Sequence, residues 1–144
     1  MAQALTFAGA VLVAGGLGKR MGRPKQLLPL AGKAVLLRAV QAFTQVPFIK
    51  QIVVVTALEN QDAVKRAFPQ VTFAQPGATR LASVMQGVAA LDPQVQAIAV
   101  HDGARPLVSP QAVARCLQSG FENGAAVLAV PVKDTIKQVR NGFV

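Results

Sequence analysis

The feature that most constrains this chain is a repeating order: an unbroken apolar run, a stretch with helical spacing, then another apolar run. The runs at Gly9–Ala14, Gln51–Thr56, Val71–Ala74, Ala97–His101 and Ala125–Pro131 have strand length and do not alternate in polarity. Strands with one wet face alternate, whereas parallel strands covered on both faces read as continuous apolar runs. Helical patterns occupy Ala34–Val46, Gln61–Phe68, Arg80–Leu91 and Pro110–Gly120, and the first three end at Pro47, Pro69 and Pro93. Ser109 supplies an N-cap to the fourth and Pro110 its first helical position. This order predicts an α/β fold: a three-layer, Rossmann-like, mostly parallel sheet with helices on both faces.

The last residues break the order. "DTIKQVRNGFV" reads as a strand at Thr135–Val139, a hairpin turn at Asn141-Gly142, and a return strand of almost no length. The expectation is one domain over residues 1–144 that ends inside a truncated β-arm beginning near residue 134.

Composition narrows the class of partner. With 144 residues, 52% of them hydrophobic, the chain has material for a real core and does not resemble a disordered segment. No apolar run approaches the roughly 18 residues of a membrane span. The N-terminal stretch lacks the basic region of a signal peptide. Cys116 is the only cysteine, so no internal disulfide forms, and it reads as a small core residue on a helix. A reducing cytoplasm is the expected setting, with no membrane partner. Fifteen Lys and Arg against six Asp and Glu give a net charge of +9, which favours an anionic partner. Trp and Tyr are absent and the seven Phe are not interleaved with the cations, so nucleic acid is not expected. The positive charge gathers at Lys19, Arg20, Arg23, Lys25 and Lys33, a focus better suited to a phosphorylated small molecule.

In an α/β sheet, ligands bind beyond the carboxyl ends of the strands. "AGGLGKRMGRPKQ", "QPGATRLASV", "HDGARP" and "PVKDT" all follow apolar runs, so distant polar residues converge on one edge. The first segment is no Walker motif, since no Gly-Lys-Ser/Thr occurs in it. Gly16, Gly18 and Gly22 are spaced one residue too far for the dinucleotide fingerprint, and Pro24 interrupts any helix there. What remains is a glycine-rich backbone with Arg20 and Lys25, able to clamp a polyphosphate, or else a solvated basic loop. Asp102 ends a buried strand and reads either as a Mg2+ ligand or as a turn cap paired with Arg105. Gly77 suits a tight turn, and Arg80 and Ser83 lie one helical turn apart; they face a ligand or simply start a helix. Thr135 offers a hydroxyl to a phosphate or is an ordinary strand residue. His101, the lone histidine, reads as packed. No zinc-type spacing and no nucleophile–base pair occurs, so covalent catalysis is not indicated.

Taken together, "AGGLGKRMGRPKQ", "PGATRLASV", "VHDGARP" and "PVKDTIKQV" resemble the 2-C-methyl-D-erythritol 4-phosphate cytidylyltransferase family from about Gly9 to Val139. The first motif is shared with many nucleotidyltransferases; "HDGARP" together with "PVKDT" is more specific. The resemblance implies transfer of CMP from CTP to methylerythritol phosphate with Mg2+ and release of pyrophosphate. It implies nucleotide contacts from Ala14, Gly15, Gly16 and Gly18, with Arg20 and Lys25 neutralising the transition state. Gly77, Arg80 and Ser83 match the cytidine-binding turn and helix. Asp102 and Arg105 match the acid and base near metal and substrate, with Asp102 as the metal ligand. Thr135 matches the substrate-phosphate site of a neighbouring subunit, since the family dimerises through its arm.

Two departures stand out: Pro76 precedes Gly77 where the family more often has a second glycine, and Ala78 replaces a polar residue. The rest of the arm with its substrate-binding arginine, a "TPQ" strand and a late lysine are not in the sequence, so the chain alone is expected to turn over little. The alternatives are a nucleotidyltransferase for a molybdopterin or sugar-phosphate acceptor, or a non-catalytic nucleotide-binding fragment.

Overall fold

The structure, a computed structural model, describes residues 4–16, 22, 24–141 and 143. Its centre is a four-stranded parallel sheet of β1 (Ala8–Val13), β4 (Ile49–Val55), β5 (Thr72–Ala74) and β6 (Ala97–Asp102). The strand order is β5-β4-β1-β6. A small hairpin, β2 (Pro29–Leu30) with β3 (Lys33–Ala34), lies apart from it and was not legible as strands. Four helices connect these elements: α1 (Val35–Thr44), α2 (Gln61–Ala67), α3 (Arg80–Ala89) and α4 (Pro110–Asn123).

Continuous apolarity in β1 and β4 has the expected physical basis. Ala10 and Leu12 of β1, with Ile52 and Val54 of β4, pack in one cluster with Leu36, Ala39, Val40 and Phe43 of α1, Val64 of α2 and Val113 and Leu117 of α4. Val11, Val53 and Val55 point the other way, into a second cluster with Leu91 and Val88 beside α3. Neighbouring side chains on a strand face opposite layers, so both sets must be apolar. The spacing Leu36, Ala39, Val40, Phe43 is the single buried stripe of an amphipathic helix. Three layers result, with α1, α2 and α4 on one face and α3 on the other.

Helix α4 has the expected start: the Ser109 hydroxyl accepts from Ala112 N at 3.2 Å. It runs through Gly120, where an end was expected, and stops at Gly124, whose φ of 88° is a conformation that favours glycine.

The C-terminal expectations need correction. Ala125–Pro131 forms no strand; it is exposed and runs beside β6 without pairing to it. Apolarity made it read as a buried strand, but apolar composition does not by itself make ladder bonds: the segment stays exposed and β6 remains an edge strand. Thr135–Val139 is likewise not a strand. The Asn141 turn does form, with φ of 51° and a single antiparallel bridge between Arg140 and Phe143.

From β1 the chain moves outward through β4 to β5, then returns across the sheet to β6 on the far side of β1. The reversal leaves a crevice between the carboxyl ends of β1 and β6, the place where such sheets bind ligands. Register keeps those ends level: Val13 pairs with Asp102 and with Val55, and Gly103 N donates to Val13 O at 2.8 Å.

Candidate functional site

A cleft of about 760 Å3 opens at this crevice. It brings together Ala14, Gly15, Gly16, Lys25, Gly77, Arg80, Ser83, Asp102 and Arg105, which are far apart in sequence. Gly18 and Arg20 lie outside the described residues. Thr135 is exposed in the tail and does not line the cleft.

The wall at β1 is the turn Ala14–Gly16. Ala14 N donates to Val55 O at 2.8 Å, which continues the sheet one residue past β1. At Gly15 the chain passes so close to Pro76 that a Cβ would sit 2.5 Å from the proline Cβ. The Pro76-Gly77 departure noted in the sequence is therefore packed directly against the glycine-rich turn. Two buried side chains hold the turn from below. Gln26 Nε2 donates to Ala14 O at 2.8 Å and to Gly16 O at 2.9 Å, and the Thr56 hydroxyl donates to Ala14 O at 3.3 Å. Neither residue stood out in the sequence, because a turn-holding role depends on which carbonyls come near.

The opposite wall is the entry to α3. Thr79 is its N-cap, accepting from Ala82 N at 3.0 Å, a role not assigned from the sequence. Ser83, buried, accepts from Gly77 N at 3.0 Å and donates to Thr79 O at 2.9 Å. Its hydroxyl shapes the 77–79 turn. A Cβ at Gly77 would lie 2.5 Å from the Ala82 Cβ and 3.1 Å from Ser83 N, so only glycine fits this approach.

Asp102 closes the base. Its Oδ1 accepts from Arg80 Nη2 at 2.8 Å and its Oδ2 from Arg105 Nε at 3.0 Å. Of the two readings of Asp102 left open by the sequence, the pairing with Arg105 is present, and Asp102 also bridges to Arg80 of α3. The hydrogen bond from Arg80 holds its carboxyl below the ordinary range, with Arg105 adding to the effect and partial burial opposing it. The carboxylate is 34% exposed and Arg80 64%, so these are wet ion pairs of modest strength. His101 packs its ring 5.0 Å from that of Phe43 and its Nε2 lies 2.9 Å from Arg105 O, which accounts for the lone histidine.

The electrostatics favour an anion. Lys25, Arg80 and Arg105 line the cleft against the single carboxylate of Asp102. Among the described residues, no group of three His, Cys, Asp or Glu gathers as a metal cage. Each Asp102 oxygen has one arginine partner and a further lone pair. Such a donor fits a hard divalent cation that keeps water and takes its other oxygens from phosphates. No helix among the described residues is long and apolar enough to cross a membrane.

Sheet order, switch-point cleft and glycine-rich turn with flanking cations define an α/β domain of the nucleotidyltransferase type. Residues 8–144 match the model of IspD, 2-C-methyl-D-erythritol 4-phosphate cytidylyltransferase, and the chain belongs to that family. It is 43% identical over 141 residues to the chloroplastic 2-C-methyl-D-erythritol 4-phosphate cytidylyltransferase of Oryza sativa subsp. japonica, covering 93% of this chain and 48% of that protein. Its identity to the Symbiobacterium thermophilum enzyme of the same name is 41% over 133 residues, with 90% and 56% covered. Among solved structures it is similar to the 4-diphosphocytidyl-2C-methyl-D-erythritol synthase of Anaerococcus prevotii, with a TM-score of 0.84 at 25% identity. That superposition covers 98% of this chain and 63% of the other. The chain spans about half the length of the curated relatives it matches.

Proposed function

We propose that this chain forms the nucleotide side of a site that transfers CMP from CTP to 2-C-methyl-D-erythritol 4-phosphate, with release of pyrophosphate. The observation that carries the reading is the meeting of the Ala14–Gly16 turn, Lys25, Arg80, Asp102 and Arg105 in one cleft at the β1/β6 switch. The relatives' names supply the two substrates.

In this reading the backbone of Ala14, Gly15, Gly16 and Gly18 faces the triphosphate. Lys25 and Arg20 offset the charge that develops at the α-phosphorus during in-line attack, an electrostatic role that needs no proton transfer. The 77–79 turn, held by Ser83, receives the cytidine, and Arg80 lies beside it at the start of α3. Arg105 attracts the acceptor's phosphate, leaving that phosphate as the nucleophile. Asp102 would hold Mg2+ together with phosphate oxygens; when bound, the ion neutralises triphosphate charge. Thr135 belongs to the acceptor site of a second subunit in a homodimer, consistent with its place in an exposed tail away from this chain's own cleft. The cytoplasm is the setting, as the single cysteine suggests.

Pyrophosphate release tests the reading. Extended by the C-terminal segments that its longer relatives carry, the chain with CTP, Mg2+ and methylerythritol phosphate is expected to release pyrophosphate only when all three are present, whereas the 144 residues alone are expected to release little. Faster transfer to a sugar phosphate or to molybdopterin would overturn the acceptor assignment. CTP binding without release on any acceptor would reduce the protein to a binding module.

A further inference from the structure

Gln26 is a buried polar group that lines the cleft and that the function above does not use. We propose that it is a positioning residue: its side-chain amide clamps the Ala14–Gly16 turn so that the turn's N–H groups stay available to an anion, and it fixes Lys25 beside them.

Burial is the first argument. Gln26 is only 5% exposed, and an amide removed from water is costly unless its hydrogen bonds are replaced. They are replaced in one way only. Both near atoms are carbonyl oxygens, Ala14 O at 2.8 Å and Gly16 O at 2.9 Å, so the nitrogen must face them and each of its protons serves one carbonyl. The two carbonyls flank Gly15, which makes the contact a bidentate clip across the turn.

Peptide geometry carries the argument to function. In a trans peptide the N–H points opposite to the carbonyl of the same plane. Holding Ala14 O toward Gln26 therefore turns Gly15 N–H away from it. Among the described residues, neither Gly15 N–H nor Gly16 N–H donates to an acceptor. Successive backbone donors without internal partners are what a phosphate group uses.

The clip also joins two pieces of sequence. Gln26 follows Lys25 on a 3-10 turn closed by Leu27 N to Pro24 O at 3.2 Å and Leu28 N to Lys25 O at 3.1 Å. Pro24, with φ of −63°, stiffens its entry. Anchoring this turn to Gly16 ties together the two ends of the segment that carries Lys19, Arg20 and Arg23.

The proposal rests on the nucleotide reading for its choice of CTP but not for its geometry, and the test separates the two. Gln26→Glu is isosteric and offers at most one proton to the two carbonyls where the amide offers two; Gln26→Met keeps the volume, donates nothing and covers the case in which the glutamate does not fold. Each variant is compared with wild type well below its Tm. Carbonyl 13C shifts of Ala14 and Gly16 in the ligand-free protein, which follow the hydrogen bonds those oxygens accept, read the clip. Calorimetry with inorganic pyrophosphate, and separately with CTP and Mg2+, reads its purpose. Displaced carbonyl shifts at both residues, with binding of both probes weakened about ten- to a hundredfold, are expected from the loss of a buried bidentate hydrogen bond. Unchanged carbonyl shifts would overturn the clip. Displaced shifts with unchanged pyrophosphate affinity would leave Gln26 a purely structural residue and overturn its positioning role. A wild type that binds pyrophosphate but not CTP would sink the nucleotide reading while the clip stands on pyrophosphate alone. Binding of neither probe would sink both.

Discussion

The cleft between β1 and β6 and the outer flank of β6 are neighbours built on different terms. All three buried polar side chains among the described residues, Gln26, Thr56 and Ser83, bond to the backbone turns that wall the cleft. None of the buried side-chain polar atoms described lacks a partner. The flank shows the reverse. Ile98 is 40% exposed and Val100 45%, and Val127, Val130 and Val132 of the tail are more exposed still. A second cleft, between β6, α4 and residues 124–128, is larger at about 1030 Å3, with Gln96, His101, Arg80, Asp102 and Arg105 among otherwise mainly apolar residues. Volume alone would choose the flank. Buried amides and hydroxyls are costly to place, so their concentration at the β1/β6 turns is the better mark of where this domain holds a ligand.

The largest expected effect breaks the comparison at its chemical end. In the chain extended by its relatives' C-terminal segments, Lys25→Ala should lower pyrophosphate release by about a hundredfold or more, the scale of losing one transition-state donor, with little change in Tm because Lys25 is exposed. A rate within a few fold of wild type would remove Lys25 from the mechanism. Next comes Gly77→Ala, whose Cβ would collide with Ala82 and Ser83 N. Overpacking there should cost about 1–3 kcal/mol in a denaturant titration and weaken CTP binding as well.

Asp102→Asn sharpens the electrostatic contrast through pH. The Asp102 carboxyl titrates lower in the folded state than its ordinary value. Its ion pairs therefore stabilise the fold fully above about pH 4 and are lost only as pH falls through the lowered folded value. The Tm gap between wild type and D102N should be constant at neutral and mildly acid pH and close below that range. A gap that closes at pH 6 would contradict the assignment. The smallest effect belongs to the flank: Val130→Asp, in the exposed tail, should shift stability by no more than about 0.5 kcal/mol and leave CTP binding unchanged.

The same contrast explains what the sequence could show. The strands at Ala8–Val13 and Ile49–Val55 were legible because burial on both faces leaves an unbroken apolar signature. Ala125–Pro131 carries that signature too, yet forms no strand, because apolar composition does not report whether ladder bonds to the open edge of β6 are made. Glycines, Lys25 and Asp102 announced the cleft through residue type and position after strands. Gln26 and Thr56 did not, since a glutamine after a lysine looks like any solvated loop until the carbonyls of Ala14 and Gly16 stand 2.8 and 2.9 Å from its amide. Ser83 was placed correctly on the helix, although its hydroxyl serves the turn at Gly77, and the Thr79 N-cap went unread.

Backbone amide shifts during a titration with CTP and Mg2+ test the central claim most directly. The account predicts perturbations concentrated at Gly15, Gly16, Gly77, Arg80 and Asp102, with α4 and residues 125–132 unmoved. Perturbations centred on Ile98, Val100 and α4, with the glycine turn silent, would place the ligand on the flank and contradict it.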